Sequence, residues 1–188
     1  SADSHLILLD VPAPASIAGS IAAAEGGFTT RLVDSGPKSG EVVLAQPANA
    51  CSNLTNGTEL SGKIALFDRG DCTFISKFNR AVNAGAIAAI VIDDEDQAVP
   101  FAMGGGDPGE VPIPGVMIKK SDGDVLKGAL AGGITLSMDG TKLFTGPGSE
   151  LLAGFSSRGP SAQDARMKPE IAAPGFVTRS RNPCWRSQ

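Results

Sequence analysis

The sequence predicts an α/β fold, and three stretches carry that prediction. "GKIALFDRG" holds a short apolar strand, Ile64–Phe67, between glycines. Just beyond it, Phe74, Phe78, Ala81 and Val82 fall at i, i+4, i+7 and i+8, which is one face of a helix, with Thr73 placed to cap its start and Gly85 to end it. "AIAAIVIDDED" then runs from a buried strand into an acidic loop. Residues 64–92 therefore read as a strand-helix-strand unit whose strands should be parallel and joined by a right-handed crossover.

The remaining elements follow in chain order. Leu6–Leu9 and "VPAPASIAGSIAAAEGG" mix apolar and small residues with proline breakers and read as an entry strand, a turn and a short extended lead-in. "LVDSG" ends in a turn at Asp34–Gly36, where Asp can hydrogen-bond the local backbone and Gly is free to take positive φ. After the flexible "MGGGDPGE", Pro112 and Pro114 restrict strand pairing in "VPIPGVMIKK" to a sheet edge or to Gly115–Ile118. Ser121 with Asp124 has the spacing of a capping box for a second helix, Val125–Leu130, closed by Gly132. "ITLSMDGTKL" alternates apolar and polar residues about Asp139-Gly140, the pattern of a half-exposed hairpin.

A chain of 188 residues has room for one domain with its own core and an appendage. Charged residues are 19% of the total, and 24 Gly and 13 Pro predict a loop-rich surface. A formal net charge of -4 offers no electrostatic footprint for nucleic acid or an anionic membrane, so neither partner is expected. The longest apolar runs, "LILL" and "AIAAIVI", fall far short of a bilayer span, which predicts a soluble protein. Starting at Ser1 with no methionine or apolar leader is expected of a processed or excised chain.

Cys51 and Cys72 flank a Gly/Asn/Thr-rich stretch, a spacing that fits a bridge, with two reduced cysteines as the alternative. No CxxC pair is present and His5 is the single histidine, so zinc ligation is not expected. Cys184, in a polar tail, reads as a free thiol or as a residue open to intermolecular pairing.

The run from Cys51 through "GKIALFDRGDCTFISKFNRAVNAGAIAAIVIDD" to "VPIPGVMIKKSDGDVL" closely resembles the protease-associated (PA) domain over roughly residues 15–140. The resemblance implies a small α/β domain with a curved or barrel-like β-sheet flanked by short helices. It also implies a non-catalytic role in touching peptide or protein substrates, gating a neighbouring active site or binding cargo. Further on, "GFSSRGPS" followed by "KPEIAAPG" resembles the segment in which subtilisin-like (subtilase) serine peptidases resume the catalytic domain after such an insertion. This divides the chain into a lead-in strand at 1–14, a PA domain at 15–145, a catalytic-domain remnant at 146–175 and an unassigned tail at 176–188, where "FVTRSRNPCWRSQ" departs from the family pattern.

A serine nucleophile needs a base within reach, normally a histidine oriented by a carboxylate. His5 lies outside the H-G-T context of the family base, and the only Gly-Thr pairs, Gly57-Thr58 and Gly140-Thr141, are not followed by the serine of a G-T-S-M-A motif. Ser156 and Ser157, and the turn Arg158-Gly159-Pro160, fall in a part of the motif to which the resemblance gives a structural role. Asp34 in D-S-G could pass for a protease aspartate, but aspartic chemistry needs a second such carboxylate and a subtilase aspartate needs a downstream histidine. No catalytic residue is therefore expected.

The acidic run Asp93, Asp94, Glu95 and Asp96 stands at the end of a buried strand, where α/β ligands often bind. Calcium is conceivable there, but the run lacks a calcium-loop pattern and a solvated acidic loop is the simpler reading, so no cofactor is expected. The glycine-rich run does not open a helix, which argues against phosphate binding. "NLTNGT" holds two glycosylation sequons, at Asn53 and Asn56.

The expected function is a non-catalytic protein- or peptide-interaction module of a secreted subtilisin-like serine endopeptidase. Its contacts would lie on the acidic loop 93–97, on Met103, Gly104, Gly105 and Gly106 in the glycine-rich loop 103–110, and on the cysteine loop 51–58. Its partner would be the parent protease's peptide or protein substrate, and "LLAGF" and "IAAPGF" in 151–175, without a catalytic core to cover them, are expected either to be disordered or to drive self-association. The alternatives are a serine peptidase active in its own right and a stand-alone cargo-binding protein.

Overall fold

A computed structural model describes residues 6–144. His5, the serines of the subtilase-like motif, Cys184 and the self-association segment 151–175 lie outside the described residues. Seven strands, β1 (Leu6–Ala13), β2 (Gly19–Glu25), β3 (Lys38–Leu44), β4 (Ile64–Asp68), β5 (Ala88–Ile92), β6 (Gly115–Ile118) and β7 (Thr135–Leu143), close into a barrel in the order β1-β2-β6-β5-β4-β3-β7. Strands β3, β4, β5 and β6 run parallel, while β2, β1 and β7 pair antiparallel with their neighbours. A helical turn, α1 (Leu32–Ser35), and two helices, α2 (Phe74–Asn83) and α3 (Lys120–Ala129), lie against it. The expected barrel-like sheet is thus a closed mixed barrel with a few short helices.

The strand-helix-strand unit forms as its residues dictate. β4 and β5 are parallel with Leu66 opposite Ile90, and alternate residues serve two cores. Ile64, Leu66, Ala88, Ile90, Val116 and Ile118 join one cluster with Ile7, Leu9 and Met138. Ala65, Phe67, Ala89, Val91 and Met117 join another with Phe28 and Phe78. Burial on both faces explains why these strands read as unbroken apolar runs.

Thr73 caps α2 as the pattern predicts, its side-chain oxygen accepting from the Ser76 N–H at 3.3 Å. At the other end Gly85 takes φ +79, its N–H bonds the Val82 carbonyl, and the Ala86 N–H bonds that of Ala81, a Schellman closure. The Phe78 ring lies edge-on to Phe28, centroids 5.3 Å apart, and presses on β6 so closely that a Cβ on Gly115 would come within 2.1 Å of it. That contact requires glycine at the strand the prolines precede. Within the closed barrel β6 is no edge, since β5 and β2 flank it.

Two expectations are corrected. "TLSMDGTKL" is not a hairpin but one nine-residue strand, β7, that pairs with β1 on one side and β3 on the other. Asp139 still turns the chain locally, accepting from the Thr141 N–H and hydroxyl at 2.9 and 2.8 Å, but the result is a register shift against β1. Pairing with two distant strands outweighs the local turn. Gly140 is needed there because α1 rests on it: a Cβ would stand 2.7 Å from the Val33 nitrogen.

The second correction concerns α3. It starts at Lys120 rather than Val125, which puts Ser121 inside the first turn. Its N–H is capped by Asp96, 2.7 Å away and 25 residues earlier in the chain, while Asp124 pairs with Lys120 at 2.6 Å.

Candidate functional site

The expected contacts fall on three loops next to the parallel strands: the acidic, glycine-rich and cysteine loops. The acidic loop leaves β5 with three of its four carboxylates already engaged. Arg69, which follows β4, donates to Asp93 at 2.6 Å and to Asp94 at 2.7 Å, and its guanidinium carbon stands 4.9 Å from the centre of the Phe101 ring. The Asp93 side chain is 1% exposed. The Arg69 pKa is raised, first by the hydrogen bond to Asp93. Asp96 is held below the usual carboxylate range, chiefly by the Ser121 N–H it accepts. Glu95 is exposed. Among the described residues no three or more His, Cys, Asp or Glu side chains gather as metal ligands.

In the glycine-rich loop, Met103 is fully buried in the second core and offers no surface, whereas Gly104, Gly105 and Gly106 are exposed. Gly106 is confined from beneath, because a Cβ there would meet Glu110 and Ile75 at 2.5 Å.

The cysteine loop is bound to the barrel by several independent ties. A disulfide joins Cys51 to Cys72, across a sequence separation of 21. Behind it Lys77 of α2, with no exposed surface, donates to the Gly70 carbonyl at 2.8 Å and to the Asn49 carbonyl, and its Nζ sits 3.3 Å from the Cys51 sulfur. Burial lowers its pKa, while Asp71 and Asp68 act in the opposite direction. Asn56 is nearly buried and works as a piece of strand: its side-chain NH2 donates to the Leu44 carbonyl and its oxygen accepts from the Gln46 N–H, both at 2.9 Å. Of the two sequons, then, Asn56 is engaged inside the fold and Asn53 is exposed.

The loop held by these ties gives, through residues such as Asn53, Thr58 and Ser61, one wall of a groove whose other wall is the C-terminal half of α2, including Arg80 and Asn83. Motif reading missed the helix side of it. Arg80 and Asn83 carried no signal beyond their place on the polar face of a helix, and the packing of α2 brings them opposite residues 53–61. Asp34, the aspartate weighed against a protease role, is an exposed residue of α1, followed by Gly36 at φ +74 as a turn requires.

Residues 38–126 match the PA domain family. The chain is 37% identical over 128 residues to C5a peptidase of Streptococcus pyogenes, covering 68% of this chain and 10% of that protein. It is 40% identical over 98 residues to human ER degradation-enhancing alpha-mannosidase-like protein 3, covering 48% of this chain and 10% of that protein. It thus spans about a tenth of these relatives. In fold it is similar to a zinc aminopeptidase from Bacillus subtilis, with a TM-score of 0.52 and 24% identity over 72% of this chain and 30% of that one.

Proposed function

We propose that the PA domain carried by this chain is a non-catalytic contact module of a secreted subtilisin-like serine endopeptidase, touching the peptide or protein substrates of that enzyme. The observation that carries the reading is the match of residues 38–126 to the PA domain on a closed barrel whose acidic and cysteine loops are tied down by hydrogen bonds, an ion pair and a disulfide. Rigid loops on a rigid sheet suit recognition, because little ordering entropy is lost on contact.

Three further features support the finer parts. The sequence after the barrel has the subtilase-like "GFSSRGPS" and "KPEIAAPG" in the family order, and C5a peptidase is a relative. The Cys51–Cys72 disulfide belongs to an oxidising compartment, which favours secretion. Among the described residues there is no histidine to act as a base beside a serine.

Two experiments test this. The encoding gene should specify G-T-S-M-A downstream of Gln188, with D-[ST]-G and H-G-T upstream of Ser1; a gene without them removes the subtilase parentage. The purified chain should leave casein intact. Hydrolysis above a heat-killed control, abolished by a serine-reactive inhibitor, would overturn the non-catalytic reading.

A further inference from the structure

We infer that the groove between the cysteine loop and the C-terminal half of α2 binds an extended peptide segment through an acidic side chain seated on Arg80. This rests on the reading of the domain as a peptide-contact module, and it names a surface and a ligand chemistry that the reading leaves open. The groove has a volume of about 610 Å3, within the range of sites that hold small ligands or a few residues of peptide. Asn53, Thr58 and Ser61 line one side, Arg80, Asn83 and Ala84 the other.

The loop side is preorganised. Asn56 stitches it to the end of β3, the Thr55 N–H bonds the Gln46 carbonyl at 2.8 Å, and the disulfide and Lys77 hold its origin. A wall held this way loses little freedom when a ligand arrives.

Charge selects the ligand. Among the described residues Arg80 is the one ionisable side chain in the lining, and none of them sets a carboxylate there, so in a protein of net charge -4 these residues make a locally positive recess. The guanidinium has five N–H donors. The Ser76 and Cys51 carbonyls take one each, at 2.9 and 3.1 Å, which orients the group and leaves three donors for a ligand. Half-buried, Arg80 is screened less than a fully exposed cation, and its planar fork matches a carboxylate. Asn53, Thr58, Ser61 and Asn83 are exposed and add amide and hydroxyl groups that both donate and accept, as a peptide backbone requires. Among the described residues no aromatic ring lines the groove to receive the flat face of a sugar.

The test titrates the isotope-labelled full chain with two pools of short capped peptides, identical except for a fixed central Glu in one and Gln in the other, and follows the backbone amide signals. The Glu pool should shift signals from residues 53–61 and 80–85, and the Gln pool should bind there about ten- to a hundredfold more weakly. Arg80→Gln should remove the difference between pools. Asn83→Asp, which breaks no tie in the fold, should weaken the Glu pool by placing a like charge in the groove. Equal binding of both pools in the groove overturns the role of Arg80. Shifts confined to residues 93–106 overturn the groove and leave the module reading standing. A neutral oligosaccharide that shifts the groove when neither pool does overturns the peptide ligand, and silence from both pools over the whole domain removes the inference and the module reading together.

Discussion

The acidic loop after β5 and the cysteine loop before β4 are both polar, and both cap the same barrel, but they use their polar groups differently. At residues 93–96, Asp93 and Asp94 close on Arg69 and Asp96 caps α3, so three of the four carboxylates hold the protein together. At residues 51–61 the anchoring is done by buried groups, Lys77, Asn56 and the disulfide, while Asn53, Thr58 and Ser61 remain on the surface facing Arg80. Density of charge is therefore a poor guide to availability. The loop with the stronger charge signal is the structural one, and the loop with the weaker signal presents the open groove.

Four measurements would break or sharpen that contrast. Lys77→Met should cost most, about 3 kcal/mol in chemical denaturation, because the Asn49 and Gly70 carbonyls lose their buried donor together. A loss below about 1 kcal/mol would mean that the disulfide alone secures the loop. Arg69→Leu should follow at about 2–3 kcal/mol, since it strands the buried carboxylate of Asp93, and adding Asp93→Asn should recover part of it. No recovery would show that Arg69 acts through Phe101 and not through charge.

Asn56→Ala should cost about 1–2 kcal/mol for its two backbone hydrogen bonds, whereas Asn53→Ala should stay within about 0.5 kcal/mol of the parent. Equal effects would erase the division of the cysteine loop into anchor and surface. The smallest effect is one of pH. Asp96 has its folded pKa lowered, so its contribution is fully present above the ordinary value of 3.8 and is lost as the pH falls through the lower folded value. Asp96→Asn keeps a capping oxygen without the titration, so the melting-temperature advantage of the parent over this variant should shrink on acidification from neutral pH to about pH 2.5. A constant difference would place the acid sensitivity elsewhere.

The legible parts of the fold are those in which neighbouring residues settle the outcome. Ile64–Phe67 and Ala88–Ile92 are strands because apolar side chains on both faces leave no solvated side, and α2 is helical because its apolar period, its Thr73 cap and its Gly85 stop all lie within a few turns. The hairpin reading of 134–143 failed for the opposite reason. Asp139-Gly140 has good local turn chemistry, yet β1 and β3, more than ninety residues earlier, compete for the same backbone groups and win. The capping box failed likewise, with Asp96 supplying from a distant loop what Asp124 was expected to supply nearby.

The same division runs through the candidate site. Residue identities alone determined the α/β unit, the pairing of Cys51 with Cys72 as a candidate bridge, and the resemblance to the PA domain, because each depends on short-range spacing and on side-chain types. Barrel closure, the burial of Lys77 and Met103, the engagement of the acidic loop by Arg69 and the meeting of Arg80 with residues 53–61 were decided only by tertiary structure. Each of those depends on which distant groups reach one another when water is excluded, and the energy of a buried charge or an unpaired carbonyl is set by those partners and not by its neighbours along the chain.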